Sequence, residues 1–79
     1  MGNEYKDVND AKAKLPELIN KALDEKGVWT VTTCATGAMF GWDMNLHYAL
    51  EWFQRHCPER WQIKNIYRHE CTEWTITER

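Results

Sequence analysis

Trp61-Gln-Ile-Lys-Asn-Ile-Tyr67 and, five residues later, Glu73-Trp-Thr-Ile-Thr-Glu78 are the stretch on which the fold turns. Side chains alternate sides along a strand, so Trp61, Ile63 and Tyr67 share one face. Gln62, Lys64, Ile66 and Arg68 share the other. The second run sets Trp74 and Ile76 against Thr75 and Thr77 in the same rhythm. Two alternating runs joined by a short polar link predict an antiparallel hairpin with one apolar face. That face needs a cover, and the rest of the chain has to supply it.

Upstream, Asp43 can cap a second helix running to about Cys57, where Pro58 ends it. Val28-Trp-Thr-Val-Thr-Thr-Cys34 is β-branched and aromatic, which favours a strand. Thr36-Gly37 signals a turn, after which Ala38-Met39-Phe40 can return as a short additional strand. Before these, Val8, Ala11, Leu15, Leu18, Ile19, Ala22 and Leu23 fall on one side of a helix. Lys14, Glu17, Lys21 and Asp24 fall on the other. Asn9 or Asp7 can cap this first helix, and Gly27 can stop it. Pro16 lacks a backbone donor, so the helix either kinks there or becomes regular near Leu15. The expected fold is α+β: a small two-layer domain, with an antiparallel sheet and both helices on one face, in the order α-β(β)-α-β-β. Its expected core holds Leu15, Leu18, Ile19, Trp29, Val31, Leu50, Phe53, Ile63, Trp74 and Ile76.

Seventy-nine residues make one domain, residues 1–79. Hydrophobic residues at 43% and charged ones at 28% match a folded chain rather than a disordered one. Five tryptophans give so small a core large aromatic surfaces to bury. A net charge of −2 excludes the broad basic footprint of generic nucleic-acid binding, although the last third leans basic. No apolar run is long enough to span a bilayer, so no membrane association is expected. Three cysteines, an odd count behind no signal-like opening, predict reduced thiols and a cytoplasmic setting. Cys34, at the end of a Thr-rich strand, is expected to pack as a small hydrophobe.

Chemistry-bearing clusters are few. His56-Cys57 and His69-Glu70-Cys71 are the clustered metal-ligand types, and His56, Cys57, His69 and Cys71 are the candidate ligands. Tetrahedral zinc usually takes pairs separated by two to four residues. Here one pair is adjacent and the other spans one residue, so no metal and no cofactor is expected. Gly37-Ala-Met-Phe-Gly41 lacks the Lys-Ser/Thr ending of a phosphate loop. No catalytic residue is assigned and a non-enzyme is expected.

The second helix carries the more pointed signal. Leu46, Ala49, Leu50, Phe53 and Cys57 define its core direction, while His47, Glu51, Gln54 and Arg55 lie on the side expected to face solvent. Met44, Tyr48 and Trp52 form an i, i+4, i+8 stripe well off the core direction. Such a stripe either closes a flank of the core or meets a partner, and Trp, Tyr, Met and Arg are enriched at interfaces. Met44, Tyr48, Trp52 and Arg55 are therefore the candidate partner-binding residues.

Asp7-Val-Asn-Asp-Ala-Lys-Ala-Lys-Leu-Pro-Glu-Leu-Ile-Asn-Lys-Ala-Leu23, with the strand Val28-Trp-Thr-Val-Thr-Thr33 behind it, resembles the opening of Phd/YefM antitoxins. The resemblance covers the N-terminal third and implies a dimer that binds operator DNA and neutralises a toxin. Two expectations stand side by side. The first is a non-enzymatic protein-binding module, a monomer or homodimer acting as a small inhibitor or regulator. By analogy it would suit a phage-type inhibitor of a host enzyme or defence complex. The second is the antitoxin role, with thiol or zinc chemistry a third.

Overall fold

The computed structural model describes residues 5–34 and 44–79. Its elements are α1 (Val8–Lys26), β1 (Val28–Cys34), α2 (Met44–Arg55), β2 (Trp61–Arg68) and β3 (Cys71–Glu78). The three strands form one antiparallel sheet in the order β1-β3-β2. Both helices pack on one face of it, as the α+β reading expects. The optional strand at Ala38–Phe40 and the proposed cap Asp43 lie outside the described residues.

Capping defines α1. Asp7 is the N-cap, and its carboxylate accepts the Asp10 N–H at 2.8 Å. Asp10 in turn accepts the Lys6 N–H at 3.0 Å, so two donors left over at the helix start are satisfied together. That backbone bond, reinforced by Lys14, holds the Asp10 carboxyl below its ordinary pKa. Gly27 closes the helix in the left-handed region at φ 81°, its N–H reaching the Ala22 and Leu23 carbonyls. The helix runs through Pro16 without a break.

The buried positions of α1 are Ala11, Leu15, Ile19 and Leu23. They step by four, so the contact line drifts about 40° around the helix at each step. Leu18 lies on the trailing side of that drift and is 48% exposed, which corrects its place in the expected core. α2 buries Ala49, Leu50 and Phe53. Alanines at positions 11 and 49 are fully buried. From the sheet come Trp61, Trp74 and Ile76, all buried, while Trp29, Val31 and Ile63 cover the margin. Trp61 was absent from the expected core, yet it is 1% exposed and lies 5.2 Å from the Phe53 ring. Its indole N–H has somewhere to go, donating to Asn20 Oδ1 at 2.8 Å.

Register explains the two faces of the sheet. Trp29 and Ile63 flank Ile76, and Val31 and Asn65 flank Trp74, all toward the helices. Thr30 and Lys64 flank Thr75 on the open side. The β2–β3 link is a two-residue turn, His69-Glu70, with φ of 53° and 67°. Both residues occupy the region that hairpins normally fill with Asn or Gly.

The cysteines depart from expectation. Cys34 and Cys71 are register partners on β1 and β3 and are joined by a disulfide, leaving Cys57 as the free thiol. Cys34 is therefore a covalent tie between strands rather than a free packing group. The reason is topological: β1 pairs with β3, which sets residues 37 apart in sequence opposite each other.

Candidate functional site

The Met44–Trp52 stripe divides in two. Met44 and Tyr48 are each 45% exposed, one turn apart on the outward side of α2. Trp52, one turn further, is largely covered. It meets Phe53 edge-on at 5.1 Å, stacks on His56 at 4.4 Å and carries the Lys12 ammonium 4.3 Å above its ring. A cation over an indole face is attractive, so Lys12 ties α1 to α2 while shielding the ring. Arg55 is exposed at the C-terminal edge. The open apolar part of the predicted surface is thus Met44 and Tyr48. Asn45, between them, donates to the Tyr5 carbonyl at 3.0 Å and fixes the chain ahead of α1 against the start of α2.

His47 does not face solvent as its helical position suggested. Its side chain is 13% exposed, and Nδ1 lies 2.7 Å from Thr33 Oγ1. Thr33 is itself 1% exposed and accepts the Trp74 indole N–H at 3.0 Å. On the other side of the ring, His47 Nε2 is 3.4 Å from Glu51 Oε2. With the ring neutral, the Thr33 hydroxyl donates to Nδ1 and Nε2–H points at Glu51. Every polar atom in that chain of contacts then has a partner. A hydroxyl, an imidazole and a carboxylate in this order resemble a nucleophile with its base. The hydroxyl is buried and accepts from Trp74, and it fastens α2 to β1 and β3. Periodicity alone could not place this cluster, because a helical wheel assigns one core direction to a helix that meets α1 and β1 on different sides.

The four candidate metal ligands are not brought together. His56 packs on Trp52, with Nδ1 3.2 Å from the Trp52 carbonyl. Cys57 donates to the Trp61 carbonyl at 3.4 Å. His69 sits in the hairpin turn, and Cys71 has its sulfur in the disulfide. Among the described residues no three His, Cys, Asp or Glu side chains are placed to share an ion, and among them no helix is long and apolar enough to cross a membrane.

At the opposite end, Arg60 bonds both oxygens of Glu78 and reaches Asp24. The Arg60 guanidinium holds the Glu78 carboxyl below its ordinary pKa, and the two carboxylates push that of Arg60 up. This exposed cluster joins the end of α1 to the end of β3. No family model, curated protein or solved structure matches the chain.

Proposed function

We propose that this chain is a non-enzymatic protein-binding module, a small inhibitor or regulator whose contact surface is the outward side of α2. The observation that carries the reading is the pair Met44 and Tyr48, each 45% exposed on a helix whose other side is buried. Apolar area left open on a small domain is tolerated mainly where a partner covers it. Arg55 adds a charged rim residue on the same helix. Trp52 is withdrawn from the open surface, its ring covered by Lys12 and His56.

The setting belongs to the proposal as well. A cytoplasmic location was expected from reduced thiols, and the Cys34–Cys71 bond withdraws that support. A structural disulfide suits an oxidising compartment.

A photo-crosslinking amino acid placed at position 48 tests the surface, with the same group at Thr30 on the open sheet face as control. Adducts to one other protein from position 48 and none from position 30 are expected. Adducts from position 30 alone would move the contact surface to the sheet.

A further inference from the structure

We infer that the free edge of β2 pairs with the same edge of a second copy, making a two-fold dimer with a continuous six-stranded sheet. In the order β1-β3-β2, β2 meets only β3 among the described residues, so one row of its backbone donors and acceptors has no strand partner. An eight-residue edge with no proline or glycine is a ready template for another strand. The two most exposed large hydrophobics among the described residues are Ile66 at 55% and Tyr67 at 66%, neighbours on β2 that point to opposite faces. Packing within one subunit hides neither. A strand laid along the edge contacts both faces at once, which a partner docking on one face does not.

Charge and the length of strand overlap together select the register. In an antiparallel pair, directly opposed residues share a face, so a two-fold axis passes at one residue of β2. An axis at Lys64 sets that lysine against its own copy. An axis at Ile66 sets Lys64 against Arg68 of the second copy, twice. An axis at Asn65 opposes no like charges: Ile66 meets Lys64, Ile63 meets Tyr67, and Gln62 meets Arg68 of the second copy. Apolar surface then lies against a lysine stem and an aromatic ring rather than water. Among the described residues the helix side leaves room there, because the helices lie over β1, β3 and the Trp61 end of β2. A second copy is thus the occupant that the edge itself specifies, independently of the α2 surface.

Two substitutions at one exposed position test this. Within a subunit Ile66 lies opposite Glu73 on β3, whereas across the proposed axis it faces Lys64 of the second copy. Ile66→Lys therefore favours the fold and opposes the dimer, and Ile66→Glu does the reverse. Sedimentation over a concentration series should show a reversible dimer for the native chain. Ile66→Glu should dimerise roughly five- to thirtyfold more tightly than Ile66→Lys, since the pair occurs twice per dimer. Thermal melts should not rank them in that order. A native chain that stays monomeric at the highest concentration reached would overturn the proposal. So would equal dimerisation of the two variants, which would point to the β1 edge or another surface, or tighter dimerisation of Ile66→Lys.

Discussion

Thr33 is where the smallest change should have the clearest effect. Its hydroxyl is the joint between the buried Trp74 indole and the half-buried His47 imidazole. Thr33→Val keeps the shape and removes the oxygen, leaving an indole N–H and a ring nitrogen short of partners. Such a loss costs about 1–3 kcal/mol. In a domain this size each kcal/mol moves the melting midpoint by about 4–8 °C. Thr33→Ser, which keeps the oxygen, should fall by less. Equal melts for the two variants would show that the hydroxyl carries no weight. Nothing in the sequence marks this residue, because its partners lie 14 and 41 positions away.

The elements were readable to the extent that their signals were local. Asp7 and Gly27 bound α1 through capping chemistry that the sequence displays, and the alternation in Trp61–Glu78 set the hairpin. Sheet order was not local: β1 could pair with either strand of that hairpin, and only the assembled core puts Val31 opposite Trp74. Leu18 falls outside the core because a straight helical pattern keeps one direction, while the buried line 11-15-19-23 drifts. Of the predicted surface, Met44 and Tyr48 could be read from the helix pattern. The cover over Trp52 could not, since it comes from Lys12 on another helix. The hairpin turn yields a prediction at this scale. Glu70 at φ 67° sits where side chains other than Gly and Asn are strained. Glu70→Gly should stabilise the protein by about 1 kcal/mol in chemical denaturation. A loss of stability would mean that the Glu70 side chain makes a contact outweighing the strain.

Two ties hold the molecule as a whole, one at each end. The Cys34–Cys71 bond closes a loop of 37 residues, and in the chain-entropy model such a link contributes about 4 kcal/mol. Reduction should lower the melting midpoint sharply, and thiol titration should rise from one group per unfolded chain to three. Three thiols without reductant would refute the bond. At the other end, the lowered Glu78 carboxyl adds stability above the ordinary carboxylate pKa, and that stability is lost as pH falls through the lowered value. Arg60→Gln removes the cause, so acid unfolding should begin at a higher pH. An unchanged acid limb would show that solvent screens the pair completely. The proposal places recognition and folding on different sides of α2. It is tested most directly by measuring affinity for the crosslinked protein, and the melting midpoint, on the double variant Met44→Ala/Tyr48→Ala. Affinity should fall by roughly thirtyfold, the loss of about 2 kcal/mol typical of aromatic anchors, with the melt nearly unchanged. Unaltered affinity, or a melt that collapses with it, would contradict the claim.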